Sequence, residues 1–186
     1  FSPNLPGLCE ELVGMGKRVI VAGLDLTFAA EPFGPMPTLL ALADRIDIRT
    51  STFSKVSGNV LELNVETDDL GMYNAEYVSI VDSSFEDIGE AVTDLYRGGT
   101  DESTFGPHFE LRGSTLENVG HSKRNRSGAS VRLLGVQRAY VNNNMFANSK
   151  GLRVEQTVGD PVTVIRSNTF RATPAPEILN GEAQLS

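Results

Sequence analysis

The chain has 186 residues and carries 16 basic against 24 acidic side chains, so its formal charge at pH 7 is −8. Its composition, 40% hydrophobic and 22% charged, is that of a globular protein and excludes a disordered chain. Since no apolar run approaches the roughly 20 residues of a membrane span, we predict no membrane partner. The acidic balance also argues against a nucleic-acid partner, although a local basic loop can bind a polyanion. Cys9 is the single cysteine, which excludes an internal disulfide and a zinc site built on cysteines.

The first 46 residues have the pattern of an α/β protein. Leu8, Leu12 and Met15 fall at helical spacing, which predicts an amphipathic helix over residues 6–17 with Cys9 buried beside its apolar stripe. The run RVIVAGL at residues 18–24 predicts a buried parallel strand, and TLLALADRI at residues 38–46 predicts a second helix. That helix is a candidate cap for the structure that follows. Because the first residue is not methionine and no signal peptide follows it, we expect a fragment or a mature form.

From about residue 47 the sequence repeats. Five segments share alternating apolar residues, then a small polar residue, then a large apolar residue two positions later. The large residues recur at spacings of 32, 31, 30 and 24: Phe53, Phe85, Leu116, Phe146 and Phe170. The small polar residues are Ser51, Ser83, Ser114, Asn144 and Asn168. Short strands that stack in this way predict an all-β fold, a parallel β-helix of about five coils. We therefore predict two domains, residues 1–46 and 47–186.

A second strand is predicted in each coil, over residues 60–65, 91–97, 129–136 and 152–157. These strands place charged residues at one outward position: Glu62, Asp94, Arg132 and Arg153. Stacked strands lie about 4.8 Å apart, so the four side chains can form a ladder of ion pairs. Alternatively, the adjacent Arg132 and Arg153 contact an anionic ligand at the basic end of this column.

The insertion HSKRNR at residues 121–126 concentrates positive charge in an acidic protein. Lys123, Arg124 and Arg126 are fixed cations that can hold the carboxylates of a uronate chain, and His121 adjoins them. We therefore count these four residues, with Arg132 and Arg153, as candidate substrate-binding residues. The alternative is a solvated loop that keeps a coil edge soluble.

Three further features have a functional and a structural interpretation. Tyr140, Met145 and Phe146 can stack on sugar rings, but the inward period of the coil explains Phe146 better as a core residue. The acidic pairs at residues 68–69 and 101–102 can contribute to a calcium site, which needs six to eight oxygen ligands in all. Hydrogen-bonded turns explain both pairs better, so the sequence predicts no metal site. His108, at a strand start, is packed or exposed rather than catalytic.

Four strings in this second segment carry a resemblance: ETDDLGMYNAEYV, LYRGGTDESTFGPHF, SGASVRLLGVQ and VGDPVTVIRSNTF. They resemble the later coils of the alginate and chondroitin lyases of polysaccharide lyase family 6, which includes chondroitinase B. The resemblance implies a right-handed parallel β-helix that acts on acidic polysaccharide, of the alginate or chondroitin/dermatan sulfate type, by β-elimination. In that chemistry calcium neutralises the uronate carboxylate, a lysine removes the C5 proton, and an arginine assists.

The family's catalytic groups lie on coils upstream of these strings. No residue of this chain matches them, so the catalytic residues stay unassigned and we expect a binding protein that has lost its parent activity. Leu134 and Gln156 also stand where the family pattern has imidazoles.

A different resemblance covers the first segment. The string GKRVIVAGLDLTFAAEPFGPMPTLLALADRI, at residues 16–46, resembles the middle of a cytosolic-type thymidine kinase, and the similarity extends back to Phe1. The resemblance implies that Phe1, Leu24 and Phe28 line a thymine pocket. The family's phosphate-binding loop, catalytic acidic residue and zinc cysteines have no counterpart here, so we do not expect phosphate transfer.

The two resemblances meet near residue 47, which indicates a chimera. Three functions are compatible with it: binding of acidic polysaccharide, an inert fusion product, and thymidine binding without kinase activity. The lyases are commonly exported and the kinases cytosolic, so the sequence leaves the compartment and the oligomeric state open.

Overall fold

The computed structural model describes residues 4–17, 19, 45–63, 77–96, 108–157 and 159–186. The chain divides into two compact units, Phe1–Ala43 and Asp44–Ser186. In the first unit, helix α1 spans Leu5–Gly14, with proline in its first turn, where a missing N–H costs no hydrogen bond. It ends before Gly16, whose φ of 72° is a left-handed conformation that favours glycine. No helix in the described part of the chain is long and apolar enough to cross a membrane.

The predicted amphipathic helix is thus confirmed, with an end three residues earlier than expected. None of its residues is buried: Leu8 is 50% exposed and Val13 is 59% exposed. Cys9 is half-buried, so the expectation of a buried thiol is wrong.

The second unit is built from strands that run through three parallel sheets in turn. In chain order they are β1 (Arg45–Arg49), β2 (Thr52–Ser54), β3 (Leu61–Leu63), β4 (Tyr77–Val81), β5 (Ser84–Ile88), β6 (Thr93–Tyr96), β7 (His108–Arg112), β8 (Thr115–Val119), β9 (Val131–Leu134), β10 (Arg138–Asn142), β11 (Met145–Ala147), β12 (Leu152–Glu155), β13 (Val162–Arg166), β14 (Thr169–Arg171), β15 (Glu177–Leu179) and β16 (Gln184–Leu185).

Each coil contributes one strand to each sheet. Sheet 1 has the order β1-β4-β7-β10-β13-β16, sheet 2 has β2-β5-β8-β11-β14, and sheet 3 has β3-β6-β9-β12-β15. All strand pairs are parallel and join successive coils. The predicted parallel β-helix of about five coils is confirmed.

A tight bend separates sheet 1 from sheet 2 in every coil. Its first residue is always left-handed, with φ from 48° to 64°: Thr50, Asp82, Gly113, Asn143 and Ser167. Its second residue belongs to the predicted small polar column. Each member of that column after Ser51 accepts a hydrogen bond from the backbone N–H of its counterpart one coil earlier, at 3.2 Å from Ser51 to Ser83 and 2.9 Å from Ser114 to Asn144. Buried backbone donors need such partners, which explains why the column is restricted to serine and asparagine.

The large apolar column fills the interior beside this bend. Phe85, Leu116 and Phe146 are fully buried, and each pairs in register with the next coil. Phe146 stacks on Phe170 with ring centroids 4.9 Å apart, and Phe53 stacks on Phe85 at 5.3 Å. The interpretation of Phe146 as a core residue is confirmed.

Two boundaries differ from the sequence-based expectation. Residues 45 and 46, placed at the end of the predicted helix 38–46, belong to β1, because Ile46 packs inside the coil opposite Val78. The rest of that helix, with the predicted strand at residues 18–24, lies outside the described residues apart from residue 19. Two of the predicted second strands are shorter than expected, since β9 covers only residues 131–134 of the predicted 129–136 and β12 only 152–155 of the predicted 152–157.

Candidate functional site

The outer face of sheet 1 is formed by alternate residues of its strands. Counted back from the small polar column, the outward positions lie two, four and six residues upstream in each coil. The register aligns them across β1, β4, β7, β10 and β13. The outward positions are occupied by Arg45, Asp47, Arg49, Tyr77, Ser79, Val81, His108, Glu110, Arg112, Arg138, Tyr140, Asn142, Val162, Val164 and Arg166. Three of these residues, Ser79, Val81 and Val164, are nevertheless buried.

Aromatic and cationic side chains stack along one edge of this face. The guanidinium carbon of Arg45 lies 4.1 Å from the ring centroid of Tyr77, within the range of a cation–π contact. The Tyr77 and His108 rings are 6.1 Å apart and tilted by 53°. Arg138 follows His108 in register, is exposed, and forms no ion pair with a described carboxylate.

The two carboxylates of the face are both held by neighbours. Asp47 accepts hydrogen bonds from Arg45 at 2.5 Å and from Arg49 at 3.0 Å. The hydrogen bond from Arg45 lowers the pKa of the Asp47 carboxyl. Glu110 accepts from Ser79 at 3.1 Å and pairs with Arg112 at 3.4 Å. These carboxylates therefore hold the guanidinium groups in place without cancelling the charge of the face.

Charge is the property that sets this face apart. Among the described outward residues, five are arginine and two are acidic, a surplus of three positive charges in a protein of net charge −8. All five arginines are exposed: Arg45, Arg49, Arg112, Arg138 and Arg166. An array of exposed guanidinium groups on a rigid sheet suits an anionic ligand with many carboxylates.

The outer face of sheet 3 contains the predicted charged column. The register pairs Glu62 with Asp94, Asp94 with Arg132, and Arg132 with Arg153, as expected. The next residue in the column is Glu177 on β15.

Both arginines of that column have acidic partners. Arg132 Nε donates to Asp94 Oδ1 at 2.5 Å, and its guanidinium carbon lies 5.3 Å from the Tyr96 ring centroid. Arg153 Nε lies 3.5 Å from Glu177 Oε2, and this buried nitrogen donates no hydrogen bond within the described structure. The geometry is that of the ion-pair ladder. A ligand-binding role for Arg132 and Arg153 stays a prediction.

Asp94 is the buried member of this ladder. Burial raises the pKa of its carboxyl, and the neighbouring Glu62 charge acts in the same direction. The Arg132 guanidinium offsets part of this shift.

The loop that contains HSKRNR connects β8 to β9. His121, Lys123, Arg124 and Arg126 are all exposed, as a ligand-binding role requires. The loop lies at the corner between sheets 2 and 3, which does not border sheet 1. The structure therefore does not bring these residues together with the arginines of sheet 1.

Several candidate residues lie outside the described part of the chain: Phe1, Leu24, Phe28, Asp68, Asp69, Asp101 and Glu102. Gln156, which stands where the lyase pattern has an imidazole, is buried and donates a hydrogen bond to Thr163. Within the described residues no three His, Cys, Asp or Glu side chains form a metal-binding group. The six to eight oxygen ligands of calcium are thus not assembled there.

Sequence reasoning missed the face of sheet 1, although the signal was present. The sequence predicts the small polar column, and the positions two, four and six residues before it contain the arginines and tyrosines. Because side chains alternate along a strand, these positions must share one outer face. Tyr140 was considered as a sugar-stacking residue and lies half-buried on this face, between Glu110 and Val164.

Comparisons with known proteins find that the two parts of the chain are similar to different families. The family model for thymidine kinase matches residues 1–54. The thymidine kinase of Coprothermobacter proteolyticus is 52% identical over 60 residues, which are 32% of this chain and 30% of that enzyme. That of Deinococcus radiodurans is 55% identical over 51 residues, 27% of this chain and 24% of the enzyme. The N-terminal segment is therefore similar to thymidine kinases, and the chain spans less than a third of their length.

The solenoid is similar to a solved lyase. The structure of the alginate lyase AlyGC, of family PL6, superposes with a TM-score of 0.71 and 42% identity, over 78% of this chain and 21% of that one. An arginine-to-alanine variant of the same enzyme gives 0.69 and 39%, over 78% of this chain and 22% of the variant. The chain thus spans about a fifth of the lyase. Both predicted resemblances are confirmed.

Proposed function

We propose that the solenoid binds an acidic, uronate-containing polysaccharide along the outer face of sheet 1, without cleaving it. The surplus of exposed arginines on this face, in a chain of net charge −8, is the observation that carries the proposal. The similarity to a family of alginate lyases supports the choice of a uronate polymer over other polyanions.

The arrangement of the arginines suits a polymer rather than a single small anion. Arg49, Arg112 and Arg166 share the outward position two residues before the small polar column. Arg45 and Arg138 lie four residues further upstream, at the other edge of the face. Coils repeat about every 4.8 Å, so Arg112 and Arg166, which are two coils apart, are separated by roughly 10 Å along the stack, and separate carboxylates of one polymer chain can each reach a cation. Arginine pairs with a carboxylate through two parallel hydrogen bonds, and its planar group is less hydrated than an ammonium.

Aromatic rings supply the second element of sugar recognition. Tyr140 lies on β10 beside Arg138, and Tyr77 lies on β4 beneath Arg45. A tyrosine combines an apolar ring face, against which sugar C–H groups pack, with a hydroxyl for hydrogen bonding. Both rings are half-buried and thus already ordered, which reduces the entropy lost on binding.

The proposed absence of cleavage is supported by the chemistry of β-elimination. The reaction needs a base at C5 of the uronate, and the lyase family uses a lysine. The described lysines are Lys17, Lys55, Lys123 and Lys150, and none is on the face of sheet 1. The described residues also assemble no set of calcium ligands on this face. The face can therefore hold the polymer, but it has no described group that removes the C5 proton.

The test is a binding measurement with matched variants. Calorimetric titration with alginate should show binding that weakens with added salt, since the contacts are between exposed charges. The triple variant Arg112→Ala, Arg138→Ala, Arg166→Ala should bind about tenfold more weakly or worse. Arg171→Ala, which removes an exposed cation from sheet 2, is the control and should bind like the unaltered protein.

Two further variants and assays decide between this proposal and its alternatives. Equal affinity for the triple variant, with loss in the pair Arg132→Ala, Arg153→Ala, would move the site to sheet 3. A rise in ultraviolet absorbance from unsaturated uronate ends would overturn the absence of cleavage. No binding of alginate or chondroitin sulfate would favour an inert fusion product.

Thymidine binding without kinase activity is the other alternative, and it stays a prediction. The similarity of residues 1–54 to thymidine kinases supports it, while Phe1, Leu24 and Phe28 lie outside the described residues. A rise in melting temperature with thymidine, and none with polymer, would favour it.

A further inference from the structure

We propose that the loop from Gly120 to Ser130 is a second, separate binding site for acidic polysaccharide. The loop connects β8 to β9 with 11 residues, whereas the corresponding connections of the preceding and following coils, 89–92 and 148–151, have four each. An insertion at one coil of a regular stack projects beyond its neighbours. The site does not depend on the function proposed for sheet 1.

The loop is ordered by its own polar contacts. Asn125 Nδ2 donates to the carbonyls of Gly120 at 2.8 Å and Ala129 at 2.9 Å, which joins the two ends of the loop. Asn125 Oδ1 accepts from Ser127 Oγ at 2.5 Å and from the Gly128 N–H at 3.2 Å. One half-buried asparagine thus makes four hydrogen bonds and fixes the backbone.

The loop is also tied to the coils on both sides. The Ser122 N–H donates to the carbonyl of Gly89 in the preceding coil at 2.8 Å. His121 Nε2 lies 2.7 Å from the carbonyl of Asn148 in the following coil. Because a carbonyl only accepts, this nitrogen carries the proton and His121 acts as a positioning residue. The cations between these contacts are presented from a prearranged backbone.

The cations of the loop are free to meet a ligand. Lys123, Arg124 and Arg126 are exposed and form no ion pair with any carboxylate in the described part of the chain. Lys150 adds a fourth exposed cation from the next coil, with its Cβ and Cγ within 3 Å of where a side chain at Gly120 would begin. Two acidic residues of the preceding coil belong to this region: Asp87, whose carboxylate accepts from Asn118 Nδ2 at 2.6 Å, and Glu90, which forms no ion pair with the loop cations in the described structure.

The chemistry selects a polymer with carboxylate or sulfate groups. Two arginines and two lysines form a cluster that pairs with such groups, and a fixed loop loses little entropy on binding. Single-stranded nucleic acid is disfavoured, because the loop offers no aromatic ring for base stacking apart from His121, which is engaged with Asn148.

Two sites on separate sides of one rigid body have a measurable consequence. The corner between sheets 2 and 3 does not border sheet 1, so a short oligosaccharide fits only one site at a time. A long chain that reaches both gains affinity from the high effective concentration of its second segment.

The experiment compares oligomer and polymer binding. With an alginate tetrasaccharide, calorimetry should give a stoichiometry of two for the unaltered protein. It should give one for Lys123→Ala, Arg124→Ala, Arg126→Ala, and one for the sheet 1 triple variant. With long alginate the loop variant should lose about tenfold to 10²-fold in affinity. Lys17→Ala with Arg171→Ala removes two exposed cations elsewhere and should change neither value.

A variant that keeps every charge separates a built site from general attraction. Asn125→Ala leaves all four cations but removes the hydrogen bonds that order the loop, so tetrasaccharide affinity at this site should fall about tenfold. Unchanged affinity would overturn the proposal, as would a stoichiometry unaffected by the loop variant. If the loop variant abolishes all binding while the sheet 1 variant keeps it, the loop site stands and the site on sheet 1 fails. Repeating the titration with a chondroitin sulfate tetrasaccharide shows whether sulfate adds to carboxylate.

Discussion

The outer faces of sheets 1 and 3 are made by the same coils, yet they differ in what their arginines do. On sheet 1 five described arginines stand against two carboxylates. On sheet 3 two arginines stand against four outward carboxylates: Glu62, Asp94, Glu155 and Glu177. The first face therefore keeps charge available to a ligand, whereas the second neutralises it internally.

The difference teaches that register, rather than composition, decides the role of a charge in a solenoid. Arg132 stacks directly on Asp94 and has only 24% of its side chain exposed, with 11% for its partner. Arg138 stacks between His108 and Val162, and neither is a carboxylate. An arginine with an acid in the adjacent coil, such as Arg132, becomes structural, whereas Arg138, which has no described carboxylate partner, remains free to bind.

The largest loss of stability should come from removing a buried side chain of the small polar column, which joins the coils that carry both faces. Asn144→Ala deletes the acceptor of the Ser114 N–H and the donor to the Leu111 carbonyl, at a position that is 3% exposed. Leaving such groups unsatisfied costs about 1–3 kcal/mol each, so we expect a loss of about 2–4 kcal/mol in urea unfolding. Both faces should lose their order together.

Ser51→Ala is the control for that variant. Ser51 opens the column, and its hydroxyl donates only to Arg49 of its own coil, in an exposed position. Its removal should cost less than about 1 kcal/mol. Equal losses of unfolding free energy for the two variants would contradict a stabilising role for the hydrogen bonds that join the column from one coil to the next.

The next largest effect should separate the two faces. Arg132→Ala leaves the buried Asp94 carboxylate without its partner, which we expect to cost about 2 kcal/mol of stability at pH 7. Arg112→Ala breaks an exposed pair and should cost less than about 1 kcal/mol. Urea unfolding of both variants at pH 7 gives the comparison. A larger loss for Arg112→Ala would show that the exposed face, not the ladder, is the structural one.

Much of the fold could be predicted because the coil repeats its own pattern. Phe53, Phe85, Leu116, Phe146 and Phe170 recur with a spacing that only stacked coils satisfy, and every pairing among them is observed. The outward charged column of sheet 3 was predicted in the same way, by counting residues from the large apolar residue of each coil. Each prediction used a periodic constraint that the backbone itself imposes.

The site was harder to predict, because it is not local in the sequence. Tyr77, His108 and Arg138 become neighbours only when coils stack in register, and no short motif joins them. The sequence instead predicts a binding site at the HSKRNR insertion, because its basic residues are adjacent in the sequence.

The smallest effect, a difference in sign, tests the electrostatics of the two faces. The pKa of Asp47 on sheet 1 is lowered, chiefly by its hydrogen bond from Arg45, so its contribution to stability is present above about pH 3.9 and is lost as pH falls through the folded pKa. The pKa of Asp94 on sheet 3 is raised, chiefly by burial, so stability falls as pH rises from about 3.9 through the folded pKa. Relative to the unaltered protein, Asp47→Asn should become less stable with rising pH and Asp94→Asn more stable. Thermal melts of the three proteins between pH 3 and 7 measure both slopes, and slopes of the same sign would show that the two faces do not differ in how they hold charge.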